Sequence, residues 1–126
     1  VGEDKCSTLC IFDWSKGALL IHCKGEEEPG SQILSVSCDM QSKSRTLVTC
    51  GVKHVVFWSM VGLSKLSGRT GRFGSQPGVQ QTFTGACFVQ AGGNSDQAHD
   101  SRTETQALRS HRLALTGTED GSIYVW

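Results

Sequence analysis

Short runs of β-branched and aromatic residues, separated by turn residues, make up most of this chain. Apolar and polar positions alternate weakly from 7 to 13, and Ser15, Lys16 and Gly17 then mark a turn before the next apolar run. Runs of this kind, bounded by Gly, Ser and Asp, predict β-strands. A tight turn is expected at Gly51 and Lys53. The predicted strands cover residues 7–13, 18–23, 33–38, 46–50, 54–60, 63–66, 82–89, 112–116 and 122–126.

Three of the predicted strands end on an aromatic run of the same kind. STLCIFDW closes at Trp14, HVVFW at Trp58 and SIYVW at Trp126, and the last two follow similar segments, TLVTCG and LALTGTEDG. A unit repeated at roughly 40 to 50 residues is typical of propellers and solenoids. The sequence therefore predicts an all-β fold built from repeated units.

The length of the chain limits how much of a propeller it can form. A closed propeller has about 4 to 8 blades of four strands each, and 126 residues hold two to three of them. We expect the last strands of a first blade in 1–25, a complete blade in 31–67, an inter-blade loop at 68–81 and a partial third blade in 82–126. Because the chain begins on Val1 and ends on Trp126, we interpret it as a fragment of a longer protein.

A polar tract interrupts the third predicted blade. Residues 90–110, QAGGNSDQAHDSRTETQALRS, contain few large apolar side chains. Such a composition buries too little surface to offset the entropy of ordering the chain. We therefore expect a flexible insertion in this tract.

Charge and cysteine content narrow the class of protein. Twelve basic and twelve acidic residues give a net charge of zero, which favours neither nucleic acid nor an anionic membrane as partner. No apolar run approaches the roughly 20 residues that span a bilayer. Cys10, Cys23, Cys38, Cys50 and Cys87 lie inside predicted strands, where we expect reduced, buried thiols and neither a disulfide nor a metal site. These observations favour a cytoplasmic protein.

The segment LALTGTEDGSIYVW resembles the second half of a WD40 repeat. In such repeats a hydroxyl on the second strand, an Asp in the next turn and a Trp ending the third strand form a hydrogen-bonded network, which here corresponds to Thr116, Asp120 and Trp126. Thr49 and Trp58 occupy similar places in the preceding repeat. A buried carboxylate is costly unless it is hydrogen-bonded, so Asp120 should accept backbone or hydroxyl protons. The alternative is an ordinary hairpin with an exposed Asp-Gly turn.

A narrower resemblance is carried by FDWSKGALL, LVTCGVKHVVFW and LTGTEDGSIYVW. These runs resemble the echinoderm microtubule-associated protein-like (EMAP-like) family over residues 5–90 and 111–126. The resemblance implies a fragment of a WD40-type β-propeller that binds tubulin or microtubules and influences microtubule organisation without catalysis or a cofactor. It also implies a cytoplasmic, cytoskeletal location. The matching positions of the middle motif are Thr49, Cys50, Gly51, His54, Phe57 and Trp58.

A partner-binding face can be proposed from propeller geometry. Loops between the second and third strands of a blade share one face with the inter-blade loops, and the polar tract should lie on the opposite face. Because tubulin is acidic, Lys53, Arg69 and Arg72 are candidates for steering it, although such cations are often only solvated. His54 is either a pH-sensitive contact or a hydrogen-bond partner of the adjacent turn. The expected face comprises Lys53, His54, Arg69, Arg72 and Glu119, beside Asp120 and the acidic run 26–28.

Patterns typical of enzymes are weak in this sequence. GRTGRFG at 68–74 resembles a phosphate-binding loop, but neither Lys-Ser nor Lys-Thr follows it and the next predicted element is a strand. The four histidines show no HExxH spacing, and no Ser lies in a GxSxG turn. The remaining alternative is a WD40 adaptor or scaffold in another complex, such as a ubiquitin ligase or a signalling assembly.

Overall fold

The computed structural model describes residues 1, 6–25, 30–39, 45–62, 64–72, 81–91 and 111–126. All regular secondary structure in these ranges is β-strand, which confirms the all-β prediction. The strands are β1 Leu9–Asp13, β2 Ala18–Cys23, β3 Gln32–Cys38, β4 Thr46–Val52, β5 His54–Val61, β6 Lys65–Thr70, β7 Phe83–Ala91, β8 His111–Thr118 and β9 Ile123–Val125.

The nine strands form three antiparallel sheets in which chain neighbours are also spatial neighbours. The first sheet pairs β1 with β2, the second has the order β3-β4-β5-β6, and the third has the order β7-β8-β9. Up-and-down sheets of at most four strands, stacked face to face, are the blades of a propeller. The predicted class, an incomplete WD40-type propeller, is confirmed.

Several predicted boundaries differ from the observed ones. The fourth strand of the second sheet is Lys65–Thr70, later than the predicted 63–66, and it therefore includes the beginning of the predicted loop 68–81. Pairing with β5 explains the shift, because Trp58 lies opposite Gly68 and Val56 opposite Thr70. Gly51 belongs to β4 rather than to the turn, and β7 extends to Ala91. The rest of the predicted insertion, 92–110, lies outside the described residues.

Two apolar layers hold the sheets together. Trp58 and Leu47 of the second sheet pack with Leu9 and Ile21 of the first. On its other side the second sheet packs Val48 and Val55 against the third sheet, where Phe83 is almost completely buried. The second sheet is thus covered on both faces, which accounts for the continuous burial along β4.

The cysteines are less buried than the sequence predicts. Cys50 is buried and burial raises the pKa of its thiol, but Cys10, Cys38 and Cys87 are exposed. All three lie in strands, as predicted, and point to faces or ends of the sheets that no described neighbour covers. An apolar run locates a strand but does not establish that both of its faces are buried.

An ion pair joins the second and third sheets. Arg112, at the beginning of β8, donates a hydrogen bond to the carboxylate of Asp39, which directly follows β3. The Asp39 side chain is almost fully buried and that of Arg112 is partly exposed. A buried carboxylate is tolerated when it is paired in this way, so the contact fixes the position of β8 relative to β3.

Gly51 permits a register shift between β3 and β4. The pairing shifts between Ile33 and Ser35, and this irregularity brings the backbone of β3 close to Gly51. A Cβ at this position would overlap the carbonyl oxygen of Gln32 and crowd the amide of Leu34. Because both obstacles are backbone atoms, neither can move aside as a flexible side chain would.

We expect Gly51→Ala to destabilise the fold by about 3 kcal/mol, since the strand pair must separate to admit the methyl group. Gly117→Ala is a matched control in β8, where an added Cβ meets nothing within 4 Å; it should change stability by at most about 1 kcal/mol. Urea unfolding followed by tryptophan fluorescence measures both. Equal effects of the two substitutions would contradict the assigned role of Gly51.

Candidate functional site

A buried hydroxyl, an imidazole and an indole meet inside the β4–β5 hairpin. The Trp58 Nε1–H donates to Thr49 Oγ1 at 2.8 Å. His54 Nε2 lies 2.8 Å from the same oxygen, and the tautomer of the ring decides which of the two donates. Thr49 is fully buried and His54 is only 6% exposed. One hydroxyl therefore satisfies two ring nitrogens that have little access to water.

The third sheet repeats the hydroxyl–indole part of this arrangement. Trp126 Nε1–H donates to Thr116 Oγ1 at 2.9 Å, and Thr116 is fully buried. Trp126 is only partly buried and packs against Phe57 of the second sheet, with ring centroids 5.7 Å apart. Both tryptophans thus lie on the face of their sheet that points toward the preceding sheet.

Asp120 is hydrogen-bonded within its own turn. Its Oδ1 accepts from the Thr118 hydroxyl at 2.6 Å and from the Ser122 amide at 2.9 Å. The Thr118 bond and then those of Ser122 lower the pKa of Asp120 to about 2. Gln81 contributes a further hydrogen bond to this carboxylate. Asp120 is exposed, so it stabilises the turn locally and its bonds do not run through Thr116.

Two glycines provide flat surfaces for the indole rings. A Cβ on Gly68 would meet the Trp58 ring at 2.9 Å, and one on Gly71 would meet the Trp126 ring at 2.7 Å. Gly71 also donates its amide to the Val55 carbonyl at 2.8 Å. The GRTG segment that resembles a phosphate-binding loop therefore packs against tryptophans.

The strand register places most of the predicted partner face at one end of the sheets. Lys53 forms the β4–β5 turn with φ of 52°, and the Gly51–His54 pair closes that turn. Arg69 lies near the end of β6 that adjoins this turn, and Arg72 follows that end.

The β8–β9 turn lies at the same end. Val52 bridges to Thr82, which accepts a hydrogen bond from the Glu119 amide at 3.1 Å. Lys53, Arg69, Arg72 and Glu119 are all exposed. The acidic run 26–28 is outside the described residues.

His54 differs from the other members of the predicted face. Its ring is buried beside Thr49 and does not contribute to the surface. The sequence left open a histidine that bonds the adjacent turn, whereas the observed partner, Thr49, lies in β4 outside that turn.

Sequence reasoning missed two contributions: Thr118 as a partner of Asp120, and the Asp39–Arg112 pair. The spacing T-x-D within a hairpin turn could have indicated the first. No local pattern links Asp39 to Arg112.

The described residues contain neither a metal-binding cluster nor a membrane-spanning helix. No group of three or more His, Cys, Asp or Glu side chains is placed to hold a metal ion. No helix of sufficient length and apolar character to cross a bilayer is present in the same ranges.

Comparison with known proteins gives a similarity to microtubule-associated relatives. The chain is 25% identical over all 126 residues to a rat protein named echinoderm microtubule-associated protein-like 2, and equally similar to its mouse counterpart. The chain spans 15% of the length of each of these relatives. No family model matches the chain.

We expect Thr49→Val to destabilise the fold by about 2 kcal/mol, because the isosteric change leaves two buried ring nitrogens without their shared partner. Thr116→Val should cost about 1 kcal/mol, since the Trp126 indole can reach water. Thr49→Ser retains the hydroxyl and serves as the control. Chemical unfolding gives all three values, and a Thr49→Val effect no larger than that of Thr116→Val would contradict the assignment.

We expect the contribution of Asp120 to stability to depend on pH. Because folding lowers its pKa from 3.8 to about 2, the stabilisation is complete above pH 3.8 and is lost as the pH falls toward 2. The urea midpoints of wild type and Asp120→Ala should therefore differ most near neutral pH and converge in acid. Thr118→Val, which removes the main donor, should weaken this pH dependence. A midpoint difference that does not vary with pH would show that the carboxylate charge contributes nothing.

Proposed function

We propose that this chain is part of a non-catalytic WD-repeat protein that binds tubulin or microtubules. The observation that carries the proposal is the alignment over the full chain with two relatives whose names describe microtubule-associated proteins. The TCGVKHVVFW hairpin supports it, because the residues that suggested the EMAP-like family form the buried Thr49–His54–Trp58 network.

The internal geometry of this network supports a structural role rather than catalysis. A hydroxyl beside an imidazole is also the arrangement of an activated nucleophile. Thr49 is fully buried, however, and its oxygen accepts the indole proton of Trp58. A substrate could not reach this hydroxyl without opening the sheet, so the pair is suited to supporting the turn that carries Lys53.

The cationic turn end is the surface that suits an acidic partner. Lys53, Arg69 and Arg72 are exposed at the same end of the second sheet, next to a turn held by the Asp120 hydrogen bonds. Their charges can steer an acidic protein by long-range attraction. Exposed cations contribute little individually, so binding should depend on the group and on ionic strength.

We expect the chain to co-sediment with microtubules at low salt and to be released as salt is raised, because exposed charges are screened. Arg69→Glu combined with Arg72→Glu should weaken binding by about tenfold. Lys65→Glu is the matched control for charge reversal, since Lys65 is exposed on the same strand as Arg69 but at its opposite end.

Two outcomes separate this proposal from its alternative. If the Lys65 control and the double variant lost binding equally, the assigned surface would be contradicted. The proposal that the protein binds tubulin would still stand. A folded chain that stays in the supernatant at low salt would contradict the function itself and favour the adaptor alternative.

A further inference from the structure

Strand β6 carries a serine between two cations on one face. Side chains alternate along a strand. Leu66 is buried in the layer shared with the first sheet, and Gly68 lies against a buried indole of the same layer. Lys65, Ser67 and Arg69 therefore lie on the opposite face of the strand, and all three are exposed. Successive members of this row are about 7 Å apart along the strand.

The Ser67 hydroxyl is accessible to a modifying enzyme. No hydrogen bond joins it to any other described residue, and the residue opposite, Ser59 on β5, is small and exposed. β6 is the outer strand of its sheet, and outer strands open more readily than central ones. Neither β5 nor β6 contains Asp or Glu. A negative group added to this hydroxyl would therefore meet cations and no carboxylate on these two strands.

The sequence around Ser67 is also distinctive. Among all Ser and Thr residues of the chain, Ser67 alone has a cation both two positions before it and two positions after it. Serine kinases select their substrates by charge patterns of this kind. Cations on an outer strand also protect a sheet edge against unwanted pairing, but that role does not require a hydroxyl centred between them.

We propose that Ser67 is the phosphorylation site of a serine kinase that recognises Lys65 and Arg69, and that the phosphate weakens binding at the cationic turn end. The kinase transfers the γ-phosphoryl group of ATP to Ser67 Oγ. The new O–P bond forms as the bond between the γ-phosphorus and the ADP oxygen breaks, and the hydroxyl proton passes to a carboxylate of the kinase. The site itself is independent of the proposed function, whereas its effect on binding rests on that function.

The position of the phosphate accounts for the expected effect on binding. A phosphoserine carries a charge of about −2 near neutral pH and accepts charge-assisted hydrogen bonds. Its spacing from Arg69 is within the screening length of about 8 Å at physiological salt. The phosphate therefore competes with an acidic partner for Arg69 and lowers the positive charge of the cationic turn end.

Site mapping tests the first part of the proposal. The folded chain, incubated with ATP and a protein kinase C catalytic domain, which prefers basic residues on both sides of its target, should carry a phosphate at Ser67 when mapped by mass spectrometry. Lys65→Gln combined with Arg69→Gln should slow this reaction at least about tenfold, because the charges that the kinase recognises are removed. Lys16→Gln is the matched control, since Lys16 is an exposed cation in the β1–β2 turn, and it should react as fast as wild type.

Co-sedimentation tests the second part. At low salt the phosphorylated chain should bind microtubules at least about threefold more weakly than the untreated chain, and phosphatase treatment should restore binding. Ser67→Ala exposed to the same kinase is the matched control and should bind as the untreated chain does.

The two parts fail in different ways. The site is wrong if Ser67 of the folded chain stays unmodified, or if the Gln double variant is phosphorylated as fast as wild type. The effect on binding is wrong if the phosphorylated chain binds microtubules as tightly as the untreated one. An untreated chain that does not bind microtubules would contradict the proposed function, and the effect on binding with it, while the mapping would still decide the site.

Discussion

The need to satisfy a buried indole N–H constrains the rest of this structure. Trp58 contributes a large apolar surface to the layer between the first and second sheets, but its Nε1–H must find an acceptor there. Thr49 supplies the oxygen. Because Thr49 lies on β4 and Trp58 on β5, this bond fixes the register of the hairpin. Gly68 leaves room for the Trp58 ring. The threonine–tryptophan pair recurs at Thr116 and Trp126, where the glycine against the ring, Gly71, follows β6 of the preceding sheet.

This repetition explains why the sheets are interdependent. Trp58 and Trp126 each face the preceding sheet, so the apolar layer that each of them builds belongs to two blades rather than to one. An isolated two-stranded sheet is only marginally stable in water, and a larger sheet still needs its apolar face to be covered. The Asp39–Arg112 pair adds a directional contact between the second and third sheets.

The sequence allowed the strands to be predicted where period and turn chemistry agree. The β4–β5 hairpin was expected nearly to the residue, because TLVTCG and HVVFW are rich in β-branched residues and flank a short turn. The fourth strand of the second sheet was predicted too early in the chain, because Leu63 and Leu66 are apolar. The observed β6 contains one large apolar residue and is defined by its pairing with β5. Contacts between residues far apart in sequence, such as Asp39 and Arg112, are set by the fold and leave no local pattern in the sequence. The surface proposed for tubulin remains a prediction.

The hydrogen-bond ladder between β7 and β8 continues as far as Ala91 and His111, and Arg112 is held beside Asp39 immediately after that pair. Both strands are therefore fixed by the sheet and by the neighbouring blade, independently of the chain that connects them. In general, each doubling of the length of a loop costs only about 0.6 kcal/mol in closure entropy. The hairpin is consequently a permissive site for evolution, where segments of different length and sequence can be acquired while the blade beneath them keeps its register.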